Sequence, residues 1–178
     1  ALKLIDAGED ITKNTYMLKK LPEEELMDIL ALGYEKNKKI AKAGSLWRGL
    51  NKPQRALAIS KNINPKSKEI LTMRGAAFGD LGNFEEAKIC AFEAIKLDPT
   101  PPHPYRLLCK IALNEGDIEK AQEYFYEAEK RDDSYLERDE WEDYLRKAGI
   151  LKREKIAEFL FKNDPGKYSW VRKYLKAN

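Results

Sequence analysis

Apolar residues in this chain recur at intervals of three and four, and prolines, glycines and Asx residues cut the pattern into helix-length runs. Leu2, Leu4 and Ile5, then Ile11, Tyr16, Met17, Leu18 and Leu21, suggest one or two short helices broken near Gly8, the second capped by Asp10. Pro22 followed by Glu23, Glu24 and Glu25 opens a helix, since proline suits the first turn and acids suit the positive end of the dipole. Leu26, Met27, Leu30 and Tyr34 continue it on one face. Ile40, Ala41, Leu46 and Trp47 mark the next helix, and Pro53 opens another through Ala56, Leu57, Ala58 and Ile59 toward Pro65. Beyond Asp133, Tyr135, Trp141, Tyr144 and Leu145 mark a helix ending at Gly149. Ile150, Leu151, Ile156, Ala157, Phe159, Leu160 and Phe161 mark one ending before Pro165, and Tyr168, Trp170, Val171, Tyr174 and Leu175 a last short one. The expectation is an all-α chain of about ten helices.

Between Lys68 and Asp133 the pattern repeats itself. Gly82 falls on Gly116, Asn83 on Asp117, Phe84 on Ile118, Ala87 on Ala121 and Ala94 on Ala128, all at an offset of 34. The first copy supplies Leu71, Gly75, Phe78, Gly82, Phe84, Ala87, Ala91, Ala94 and Pro99; the second supplies Tyr105, Leu108, Cys109, Ala112, Gly116, Ile118, Ala121, Phe125 and Ala128. Small residues suit helix crossings, and Phe78, Phe84, Tyr105, Leu108 and Phe125 suit the spaces left over. Gly82 and Gly116 are expected to end first helices in a left-handed conformation, with Asn83 and Asp117 capping the second helices and Asn83 with Glu86 forming a capping box. Pro99 to Pro104 is a stiff connection that starts a helix.

These residues resemble the tetratricopeptide repeat (TPR), a two-helix unit of 34 residues. The resemblance implies a TPR-like superhelical solenoid of helix-turn-helix repeats with capping helices, acting as a protein-interaction scaffold without catalysis. The layout expected is one α-solenoid domain over 1–178: N-terminal helices at 1–33, a degenerate repeat at 34–67 with a Gly49-containing turn, repeats at 68–101 and 102–133, and capping helices at 134–178. In this family the first helix of each repeat lines a concave surface that holds an extended peptide or a partner helix. That places His103, Arg106, Lys110 and Asn114 of the second copy in the groove, with Glu69, Thr72, Ala76 and Asp80 of the first. Arg106 and Lys110, one turn apart, suit an acidic side chain or a free carboxyl terminus; the same spacing also describes a solvated helix face. The Lys/Asn/Lys/Arg set with which some family members clamp acidic chaperone tails is absent from these positions.

Charge changes the picture modestly. The net charge of +3 conceals +5 over 1–67, −5 over 68–133 and +3 over 134–178. The basic run of Lys36, Lys38, Lys39 and Lys42 beside Trp47 supplies the second reading, an accessory nucleic-acid-associated domain of a larger nucleic-acid-processing protein, with Lys38, Lys39, Lys42 and Trp47 as its contacts. Lys167, Arg172, Lys173 and Lys176 around Tyr168, Trp170 and Tyr174 repeat that combination at the other end. The pI of about 8.7 falls short of a dedicated binder.

Chemistry is sparse. His103 is the single histidine, which removes His-based metal sites. Gly75, Gly79 and Gly82 lack nucleotide-loop spacing and lie in a helix, and Asp132, Asp133, Asp139 and Asp143 lack calcium-loop spacing. No enzyme, cofactor or metal is expected. Cys90 and Cys109 fall at helical positions and read as buried, reduced thiols. No run of about 18 apolar residues and no signal-peptide core occurs, so the expected setting is cytoplasmic without a membrane partner. The opening Ala1 in place of Met reads as a processed or excised piece of something larger.

Overall fold

Residues 23–63, 67–131 and 136–175 are described in a computed structural model. They form nine α-helices and one 3-10 helix, with no strand among the described residues. In order these are α1 (Glu23–Lys36), α2 (Ile40–Gly49), α3 (Pro53–Ser60), α4 (Lys68–Asp80), α5 (Phe84–Leu97), α6 (His103–Glu115), α7 (Ile118–Glu129), α8 (Leu136–Lys147), α9 (Ile150–Asn163) and η1 (Ser169–Tyr174). The expected helices over residues 1–21 lie outside the described residues. Two compact units divide at the Arg131–Asp132 junction, next to the point where the repeat pattern runs out.

In the first unit, α2 pairs with α3, α4 with α5 and α6 with α7, while α2 also lies against α4 and α4 against α6. This is the stacking of helical hairpins that a TPR-like solenoid requires. Each hairpin turns through a left-handed residue: Asn51 (φ 58°), Gly82 (φ 78°) and Gly116 (φ 80°). The two glycines behave as their positions in the repeat predict. The degenerate repeat differs, because Gly49 is the last residue of α2 and Asn51 takes the left-handed turn. Asparagine tolerates that conformation better than other side chains do. Asn51 stands 31 residues before Gly82, so this hairpin is three residues out of the 34-residue register.

With that register the cores align. Ala56, Ala87 and Ala121 take one place in the three hairpins, and all are fully buried. Gly44, Gly75 and Cys109 take another. A Cβ on Gly75 would stand 3.2 Å from Cys90 Cβ and 3.3 Å from the Ala87 carbonyl oxygen, so α4 and α5 approach as closely there as a bare backbone allows. Leu108 is 2% exposed, Tyr105 and Phe125 are buried, and Phe78 and Phe84 are half-buried. Trp47 anchors the first hairpin with Ala31, Ala56, Met73 and Ala77.

Polar contacts fix the hairpin ends. Asp117 caps α7 by accepting from the Lys120 amide at 3.1 Å, and Ser67 caps α4 by accepting from the Ile70 amide at 3.4 Å. Asn83 occupies the N-cap of α5 without a side-chain cap bond, contrary to the expected capping box. Arg74 of α4 donates to the Ser60 hydroxyl (3.2 Å), the Ser60 carbonyl and the Ile63 carbonyl (3.1 Å), tying α4 to the end of α3 and the turn after it. In the proline-rich connection, the Pro99 carbonyl accepts from Arg131 Nε (2.7 Å) and the Tyr105 hydroxyl (3.3 Å).

In the second unit α9 packs on α8 and η1. Trp141, Leu145, Ile156, Ala157, Leu160, Tyr168 and Val171 are buried. Arg153 of α9 donates to the carbonyls of Leu145 (2.8 Å), Arg146 (3.2 Å) and Ala148 (2.9 Å), closing the end of α8. The last short helix is 3-10 in form.

Candidate partner-binding face

Because α2, α4 and α6 adjoin in series, their outward residues share one face of the first unit. Of the residues expected there, Glu69 and Asp80 of α4 are exposed and Thr72 and Ala76 half-buried; on α6 His103 is exposed, and Lys110 and Asn114 are half-buried. Asn114 Nδ2 donates to the Lys110 carbonyl at 2.9 Å, one turn back along the helix. Glu69 is held by the Ser67 hydroxyl at 2.5 Å, which lowers its carboxyl pKa.

Arg106 departs from the groove expectation, since it is 2% exposed. Helix α6 packs on α4, α5 and α7, and it buries Pro104, Tyr105, Arg106, Leu108, Cys109, Ile111 and Ala112. That arc exceeds half the helix circumference, and Arg106 falls on its edge. Of the expected Arg106–Lys110 pair, Arg106 is buried and Lys110 half-buried.

An ion pair unforeseen in the sequence crosses the same face. Arg48 at the end of α2 donates from Nε (2.7 Å) and Nη2 (3.2 Å) to the two oxygens of Asp80 at the end of α4. This fork couples adjoining first helices. The opposite charges were visible in the sequence, but the shortened first repeat concealed their alignment.

The residues of the nucleic-acid reading separate. Lys38, Lys39 and Lys42 are exposed, with Lys39 and Lys42 ammonium groups 5.7 and 5.9 Å from the Tyr34 ring centre. Trp47 is a core residue: its indole Nε1 donates to Glu35 at 3.3 Å, and Arg55 sits 4.2 Å over its ring. It offers no face for base stacking, a correction to the expected contact. In the second unit Arg138 lies 5.4 Å from the Trp170 ring and Lys173 5.0 Å from the Tyr174 ring.

The Lys68 ammonium holds the Asp98 carboxyl well below the usual carboxylate range, helped by bonds from the Thr100 hydroxyl (2.6 Å) and amide (2.9 Å). Burial pushes the Cys90 thiol up and the Lys152 amine down. Cys90 and Cys109 are buried, and neither forms a disulfide. Among the described residues no cluster of His, Cys, Asp and Glu is arranged to hold a metal ion, and no helix is long and apolar enough to cross a membrane.

No curated protein matches this chain. Repeats of the kind seen here point to protein–protein interaction as the general role. Residues 68–101, comprising hairpin α4–α5 and the connection that follows, match the model of the tetratricopeptide repeat.

Proposed function

We propose that this chain is a scaffold without catalysis of its own, holding a peptide or partner helix on the face shared by α2, α4 and α6. The observation that carries the reading is the series of adjoining first helices centred on the matched repeat. Thr72 and Ala76 supply a small, shallow surface on α4, and His103, Lys110 and Asn114 supply polar groups on α6. The partner presents an acidic side chain or a carboxyl terminus to Lys110, because an ammonium group on a half-buried surface gains more from a carboxylate than it would in open water. The acidic balance of residues 68–133 turns away long polyanions while admitting one carboxylate.

The test is capture of natural partners by the full chain and by Lys110→Glu and Ala76→Glu variants. Both substitutions lie on the outward face, so helicity and melting temperature are expected to stay within what a surface change gives, about 0.5 kcal/mol. Capture is expected to weaken about tenfold or more in each, as one repelled or blocked contact predicts. Partners retained in full by both variants would remove this face from consideration.

A further inference from the structure

Helix α7 carries an apolar stripe that the partner-binding face does not use. Ala121, Phe125 and Ala128 are buried, but Ile118 and Tyr126 are 54% and 60% exposed. With Gln122 between them they stand at i, i+4 and i+8, on one side of the helix. Glu119 and Glu123 border the stripe, and the five residues line a shallow depression. At about 1.5 Å per residue the stripe runs about 12 Å, the length of two turns of an apposed helix.

The preceding repeat shows what such a stripe receives. The same places on α5 are Phe84, Lys88 and Phe92. Phe92 meets Tyr124 of α7 edge-on with ring centres 6.5 Å apart, and Lys88 pairs with Glu115 at the end of α6 at 2.6 Å. The following hairpin thus engages part of the stripe on α5, where Phe92 stays 49% exposed, and among the described residues of the first unit no helix follows α7. Isolated exposed apolar residues are ordinary on any protein; here Ile118 and Tyr126 lie together on one helix face with Glu119 and Glu123 beside them.

Charge selects the occupant. Nearby cations are engaged: Lys120 with Asp117 at 2.8 Å, and Lys130 with Glu127 at 2.9 Å and over the Tyr126 ring at 4.2 Å. Glu119 and Glu123 form no ion pair among the described residues. We propose that the Ile118–Gln122–Tyr126 stripe docks an amphipathic helix of a partner protein that carries Lys or Arg beside its apolar face. Apolar side chains of that helix cover Ile118 and Tyr126, and its cations meet Glu119 and Glu123.

A fluorescein-labelled Leu/Lys peptide of about 18 residues with helical apolar spacing is a suitable probe, with a Leu/Glu peptide of the same pattern as control. The full chain is expected to bind the Leu/Lys peptide at least about tenfold more tightly than the control. The paired substitutions Ile118→Ser with Tyr126→Ser, and Glu119→Lys with Glu123→Lys, are each expected to weaken binding about tenfold, with helicity by circular dichroism confirming that the variants fold. Lys110→Glu is expected to leave this binding unchanged, which separates the stripe from the face of α2, α4 and α6. Equal binding of the two peptides, no binding at tens of micromolar, or insensitivity to both pairs of substitutions would overturn the proposal. Sedimentation showing self-association that Ile118→Ser with Tyr126→Ser abolishes would also overturn it, assigning the stripe to a second copy of this chain.

Discussion

Gly44 and Gly75 take the same place in successive hairpins, yet an added methyl group would strike different things. At Gly75 it would press on the Ala87 carbonyl oxygen at 3.3 Å and Cys90 Cβ at 3.2 Å, which move only if the helix moves. At Gly44 it would press on the Met73 sulfur at 2.5 Å and the adjoining carbons, the far end of a flexible side chain. Gly75→Ala is therefore expected to cost about 1–3 kcal/mol as overpacking against fixed atoms, and Gly44→Ala less, although its contacts would be shorter. Urea midpoints of the two variants check the order; equal losses would show that α4 and α5 can separate without penalty. Repeat spacing made Gly75 legible as a crossing point. Gly44 was illegible, because the three-residue contraction around Asn51 moved it out of register. Arg106 was misplaced for a related reason: spacing tells which residues share a side of α6, but not that three helices crowd that side.

Helix ends obey the same logic at larger scale. Gly82 and Gly116 were readable as left-handed terminators because few other residues suit positive φ. Asp117 was readable as a cap, and Asn83 was over-read from the same alignment, since a position shows where a cap can sit and not whether its side chain bonds. Asp117→Ala is accordingly expected to destabilise more than Asn83→Ala. The Lys120 side chain, then the Lys120 amide, lower the Asp117 carboxyl pKa. A depressed carboxyl contributes stability that is fully present above its unfolded value, about 3.9, and is lost as pH falls through the folded value. Acidification below about pH 4 should thus narrow the gap between the native chain and Asp117→Asn. A difference between the two that stays constant from neutral pH to well below that value would contradict the cap.

Across the molecule, charge and stacking divide the labour. The Arg48–Asp80 fork and the Lys88–Glu115 pair bridge helices of neighbouring hairpins, so several charges of the acidic middle segment serve cohesion between repeats. The all-α stacking was legible because two copies at an offset of 34 carry small residues where helices must touch. The division at Arg131–Asp132 was half-legible: the loss of register marked the place, but composition does not change enough there to announce a second compact unit. Trp47 illustrates the limit for function. Cations around an aromatic read equally as a nucleic-acid contact or as the snorkelling rim of a core residue, and burial alone decides between them.

The two thiols give this array a built-in recorder of how it comes apart. Cys90 on α5 faces Gly75 inside one hairpin, and Cys109 on α6 takes the place of Gly75 in the next, so each hairpin seals one sulfur. A buried thiol escapes alkylation until its surroundings open. Arrays of repeats unravel through nearest-neighbour steps, and the hairpin at the end of the unit has one fewer neighbour to hold it. In mild urea, iodoacetamide is expected to mark Cys109 ahead of Cys90, even though Cys109 is wholly buried and Cys90 is 8% exposed. Mass spectrometry of quenched samples reads the order directly; the reverse order would mean that static exposure, not unzipping from the α6–α7 end, governs access to the interior.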